Sequence, residues 1–126
     1  MEDRLALEQR VWQRVRGNAA DEETLESALA RLIRLSREQA AGLKPGNKQL
    51  YRREVQTLGL LTALYRLRFG KEVPPSPVRP SNREACRRRA AEMLGLYLQL
   101  ETHRELGGLF TDLTRQQRAT CAALEG

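Results

Sequence analysis

Aromatic residues make up only 5% of this 126-residue chain, too few for the stacking platforms that hold single-stranded nucleic acid. Histidine occurs once, at His103, and the two cysteines, Cys86 and Cys121, form no C-x-x-C. That excludes the Cys/His sets of structural zinc sites. There is no Gly-rich phosphate loop, no Ser/His/Asp set and no nucleophile elbow, so the common routes to phosphate binding and acyl transfer are absent. No run of about 18 apolar residues reads as a membrane span. The opening MEDRLALEQRVWQRV is charged from its second residue, unlike the apolar core of a secretory signal. A cytoplasmic location is expected, and with it two cysteines that stay thiols.

What the chain has in quantity is charge and helix formers. Lys plus Arg number 22 against 16 Asp plus Glu, a net charge of +6. The basic residues are interleaved with glutamates along every segment, which fits a solvated helix surface better than a nucleic-acid patch. The densest run, Arg87, Arg88 and Arg89 behind Arg83, reads the same way, as the solvent face of a helix. At 126 residues the chain is one domain with a sizeable core.

Apolar spacing is helical throughout, and no alternating strand pattern of useful length occurs. A short amphipathic helix is expected over Arg4 to Arg16, ended by Gly17-Asn18, with Trp12 packing it onto the rest. Asp21 then caps a long helix to about Leu43, closed by KPGN. A second long helix runs from about Lys48 to Phe69 and stops at Gly70. A third starts after Ser81 as N-cap and continues to about Arg104, where His103 sits near helix-end carbonyls. ELGG breaks it, and a fourth covers Leu109 to Leu124. Cys86 and Cys121 then fall at one end as near neighbours.

Between the second and third long helices stands GKEVPPSPVRPS, stiffened by Pro74, Pro75, Pro77 and Pro80. Twelve extended residues at about 3.1 Å each reach roughly 35 Å, and a 22-residue helix is about 33 Å long. The connector can therefore return the chain along the whole preceding helix. The expected fold is all-α: a four-helix bundle of two antiparallel hairpins joined by a long Pro-rich crossover, plus the short N-terminal helix. Residues 1–18 form that helix and residues 19–126 the single bundle domain.

Several polar residues stand on apolar stripes. Leu50, Leu58, Leu61, Leu64 and Tyr65 share a face with Glu54 and Thr57. Leu106, Leu109, Leu113 and Leu124 share one with Gln117 and Thr120, and Leu25, Leu29, Leu32, Ile33, Ala40 and Leu43 one with Ser36. Polar groups on core faces are informative because burial without a partner is costly. Counting from KPGN places Ser36 opposite Glu54. In the second hairpin Glu101, or alternatively Tyr97, is expected at the level of Gln117.

The paired hairpins, the crossover, and the segments REVQTLGLLTALYRLRFG and LTRQQRATCAAL resemble the ferritin-like superfamily, in particular the small rubrerythrin-type bundles, over roughly Asp21 to Gly126. The resemblance implies a di-iron ligand set of one Glu from each hairpin's first helix and a Glu-x-x-His from each second helix. On this chain those positions fall at Ser36, Glu54, Thr57, Glu101, Gln117 and Thr120, so only Glu54 and Glu101 keep a ligand and both histidines are replaced. Hydroxyls and an amide do not supply the charge and basicity that hold an iron pair.

The expectation is a degenerate ferritin-like bundle without a working di-iron centre, a non-catalytic structural or interaction protein with no catalytic residue and no cofactor. The alternative is a metal-binding oxidoreductase or metal-storage protein with an unconventional site taking iron or manganese. A second alternative is a basic adaptor for an acidic partner or nucleic acid. Self-association or a protein partner is expected, rather than nucleic acid or a membrane. Hard cations accept carboxylate and hydroxyl oxygens, so a single weakly held cation is the intermediate case.

Overall fold

The chain is all-helical: α1 spans Glu2–Leu43, α2 Lys48–Phe69, α3 Arg83–Glu101 and α4 Gly107–Glu125. This computed structural model describes the backbone of residues 2–125 and the side chains of residues 23–125. The expected short N-terminal helix is not a separate element, because α1 continues through Gly17-Asn18. One interior glycine costs a helix about 1 kcal/mol, which the helix formers on both sides outweigh. The side chain of Trp12, expected to pack against the bundle, lies outside the described residues.

Local chemistry sets the bounds of α2. Asn47, extended at φ −147°, accepts from the Leu50 N–H at 3.1 Å and caps the first turn. Gly70 ends the helix in the left-handed region at φ 67°, its N–H donating to the Arg66 carbonyl at 2.9 Å. Only glycine takes that conformation without strain.

The ends of α3 and α4 differ from expectation. Asn82, not Ser81, caps α3 by accepting from the Ala85 N–H at 2.8 Å. Thr102 closes α3, its hydroxyl donating to the Gln99 carbonyl at 2.7 Å. His103 Nδ1 accepts the N–H groups of Glu105 and Leu106, each at 3.2 Å, so the imidazole meets amides leading into α4 rather than carbonyls. Gly107 and Gly108 belong to α4's first turn. A Cβ on Gly107 would sit 2.5 Å from the Glu101 carbonyl oxygen, so this tight turn admits only glycine there.

α1 packs on both α2 and α3, and α3 packs on α4, whereas α2 and α4 touch sparingly. The main core joins Leu25, Leu29, Leu32 and Ile33 of α1 to Leu61, Tyr65, Met93, Tyr97, Phe110 and Leu113. Burying such a large apolar side chain contributes about 1.5–3 kcal/mol, and this core is what holds the helices in register. A second cluster gathers Leu43, Leu50, Ala90 and Leu124, with Cys121 and Tyr51 against it.

The connector between α2 and α3 lies against α1. Val73 is buried in the main core. Arg37 donates to the carbonyls of Val73 and Pro74, both at 2.9 Å. Near one end Lys71 pairs with Glu26 at 2.5 Å. Near the other, a Cβ on Gly42 would meet the Ser81 Cβ at 3.0 Å and Cys86 Sγ at 2.8 Å, so α1 approaches closely there because residue 42 has no side chain.

Candidate functional site

A layer of polar side chains crosses the interior: Ser36 and Gln39 on α1, Glu54 and Thr57 on α2, and Thr114, Gln117 and Thr120 on α4, all buried. Ser36 Oγ donates to Glu54 Oε1 at 2.6 Å. The pairing follows from depth, since both residues stand about two helical turns from the tight turn between α1 and α2. Burial drives the Glu54 carboxyl upward from its ordinary value, opposed by the Ser36 hydrogen bond and the Arg53 charge. The Tyr97 hydroxyl is pushed far above the usual phenol range, by burial first and by the Glu54 charge second. Burial thus works against the charged form of both the acid and the phenol.

The remaining polar groups close on nearby partners. Gln117 Nε2 donates to the Ala90 carbonyl at 3.0 Å. Gln116 Nε2 donates to Thr57 Oγ1 at 2.8 Å, a polar link between α2 and α4. Thr120 donates back to the Gln116 carbonyl at 3.2 Å and Thr114 to that of Phe110 at 2.6 Å. Among the described residues no buried side-chain nitrogen or oxygen lacks a hydrogen-bond partner.

The structure thus joins Ser36 to Glu54 and places Tyr97 within the field of Glu54. It does not put Glu101 or Tyr97 level with Gln117. Gln117 meets Ala90, because α3 ends earlier and α4 begins earlier than the ELGG count implies. Glu101, half-buried as the last residue of α3, is about three turns further along that helix from Ala90.

Two polar residues at this end of the interior escaped the sequence reading. Gln39 is fully buried, with Nε2 donating to the Cys86 carbonyl at 2.9 Å and Oε1 accepting from Arg89 Nη1 at 2.9 Å. Its signal was its place three residues after Ser36 and four before Leu43, on the same helical face. Arg89, expected on a solvent face, turns inward. Besides Gln39 it holds Ser81 Oγ at 2.7 Å and Glu38 at 3.3 Å, fastening the connector to α1. Arg87 and Arg88 are exposed as expected. Cys86 and Cys121 are both free thiols. Cys86 lines a pocket with Leu124, while Cys121 packs against the cluster containing Leu124. Burial and then the Glu125 charge raise the Cys121 thiol above its ordinary value, away from the reactive thiolate.

The donors around Glu54 are a single carboxylate, hydroxyls and carboxamides. Among the described residues no three His, Cys, Asp or Glu side chains come together in a metal-ligating group. This set does not fit the two-iron centre that the resemblance implies, which needs several carboxylates and imidazoles converging from four helices. A groove of about 960 Å³, lined by Glu26, Arg31, Arg34, Tyr65, Lys71 and Gln99 among others, contains no residue of the polar layer. No helix among the described residues is long and apolar enough to cross a membrane. Comparison with family models, curated proteins and solved structures returns no match to this chain.

Proposed function

We propose that this protein is a ferritin-like helical bundle whose di-metal site has given way to a self-satisfied polar layer, and that it works by contact rather than catalysis, in the cytoplasm. The observation carrying this reading is the Ser36–Glu54 hydrogen bond, made where a ligand pair would stand. Its companions Thr57, Gln117 and Thr120 likewise bond to protein groups.

The topology belongs to the same proposal. The pairs Ser36–Glu54 and Glu26–Tyr65 descend α1 as they ascend α2, the pattern of an antiparallel hairpin. Gln39–Arg89 and Arg31–Glu92 relate α1 to α3 in the same opposed sense. The connector, touching α1 at Glu26, then Arg37, then Gly42, climbs alongside it. With α2 and α3 both opposed to α1, the two are parallel to each other, which is the single long crossover of ferritin-like bundles.

The test is metal analysis of protein purified without chelator and then titrated with Fe(II) or Mn(II). Substoichiometric metal, unchanged in Glu54→Leu, is expected. Stoichiometric metal that survives dialysis and disappears in Glu54→Leu overturns the reading in favour of a working metal site.

A further inference from the structure

α2 leaves one side of its length uncovered by the other helices. It packs on α1 but touches α4 only sparingly. Its outward side carries Leu60, 42% exposed, and Leu67, 86% exposed. With exposed Gln56 and Ala63 these residues follow a four-three-four spacing. That spacing is the a/d interval at which one helix receives another, here over about one heptad. A lone exposed leucine is ordinary, but two aligned one heptad apart with a small residue between them form a surface feature.

The charges around the seam are of one sign. The only acid on α2 is Glu54, and it is buried. Every other charged residue of the helix is Lys or Arg: Lys48, Arg52, Arg53, Arg66 and Arg68. Arg66 pairs with Glu72 and Arg68 with Glu105, both away from the first half of the helix. Among the described residues Lys48 and Arg52 form no ion pair, and they stand at the head of the seam.

We infer that the outward face of α2 docks an amphipathic helix of a partner protein, one with apolar residues at heptad spacing and acidic residues at the flanks. The inference rests on the reading that the bundle acts by contact. The seam supplies apolar anchoring, and the Lys48 and Arg52 cations supply orientation and steering toward an acidic helix. A second copy of this chain fits less well, because pairing two α2 faces places like charge against like charge. Duplex DNA matches the cations but makes no use of an aliphatic seam without aromatic rings.

The probe is a synthetic 22-residue peptide, the length of α2, with leucines at heptad spacing and glutamates elsewhere. Its binding to the full chain is followed by calorimetry. The same peptide with lysines for glutamates, a DNA duplex, and phosphatidylserine vesicles serve as comparators. The acidic peptide should bind tightest. Leu60→Asp with Leu67→Asp should weaken it about tenfold or more, and Leu98→Asp, on the exposed side of α3, should leave it unchanged. Lys48→Glu with Arg52→Glu should slow association and flatten its salt dependence.

Equal binding of wild type and the Leu60/Leu67 variant overturns the inference, as does tighter capture of DNA or vesicles. Sedimentation showing a dimer that Leu60→Asp dissolves overturns it as well, assigning the face to self-association. Circular dichroism of each variant confirms the helices. Metal content of the same sample reports separately on the contact reading: failed docking without bound metal sinks only the docking face, whereas stoichiometric metal sinks the contact reading itself.

Discussion

Replacing Glu54 and Ser36 together, as Glu54→Leu with Ser36→Ala, should leave the protein as stable as before or more so at pH 7. Glu54 is 4% exposed and its partner Ser36 is fully buried. A buried polar group carries a desolvation cost of about 1–3 kcal/mol, against which one hydrogen bond returns about 0.5–1.5 kcal/mol. Removing both partners removes both contributions, and leucine fills a volume similar to glutamate, so the expected change lies between zero and about 2 kcal/mol of stabilisation. For a chain of this size that is an increase of up to roughly 8 °C in Tm. Ser36→Ala alone should act oppositely, destabilising by about 1–3 kcal/mol because the carboxyl loses its donor.

The pH dependence carries the sharper sign. Between the ordinary carboxyl value of 4.5 and the raised value in the fold, the folded protein keeps a proton that the unfolded chain releases. Stability therefore falls as pH rises through that window. The double variant should lack this component of the slope. Urea unfolding of the three proteins from pH 4 to about 8 measures both effects. A double variant destabilised by more than about 2 kcal/mol, or a wild type whose Glu54-dependent stability grows with pH, would refute the reasoning.

Two further outcomes follow from backbone and latch geometry. Gly107→Ala should cost about 2–3 kcal/mol because its Cβ meets the Glu101 carbonyl oxygen at 2.5 Å. Gly108→Ala, with open space around it, should be neutral or stabilise by up to about 1 kcal/mol, and thermal unfolding of the pair compares them. Arg89→Leu should destabilise by about 2–4 kcal/mol by orphaning Gln39 and the partly exposed Glu38. Arg89→Lys should recover little, since an ammonium cannot reproduce the fork that reaches Gln39 and Ser81 together. Hydrogen exchange across residues 71–82 reads whether the connector loosens.

How far the fold is legible in the sequence depends on what ends each helix. α2 is readable to the residue, because Asn47 and Gly70 act through their own side chain or backbone and need no tertiary partner. The turn after α3 is misread because Gly107-Gly108 looks like a breaker, whereas the stop comes from Thr102 and the restart from a His103 ring acting as acceptor. That error of a few residues moves Gln117 from the expected level of Glu101 or Tyr97 to that of Ala90. The core polar residues Ser36, Glu54, Thr57, Gln117 and Thr120 are legible as interruptions of apolar stripes, and all five are buried. Gln39 lies on the same face as Ser36 but went unread. The inward turn of Arg89 has no local signal at all: its partners Glu38, Gln39 and Ser81 come from α1 and the connector, so only the packed structure brings them together.

The connector also bears on solubility. A long extended segment on a protein surface offers a free strand edge, the usual template for intermolecular sheet growth. Here Pro74, Pro75, Pro77 and Pro80 have no N–H to offer. The carbonyls of Val73 and Pro74 are already occupied by Arg37. A neighbouring molecule in strand conformation thus finds neither a run of donors nor an unbroken run of acceptors. The same residues that let the chain travel extended also keep that extended stretch from nucleating aggregation.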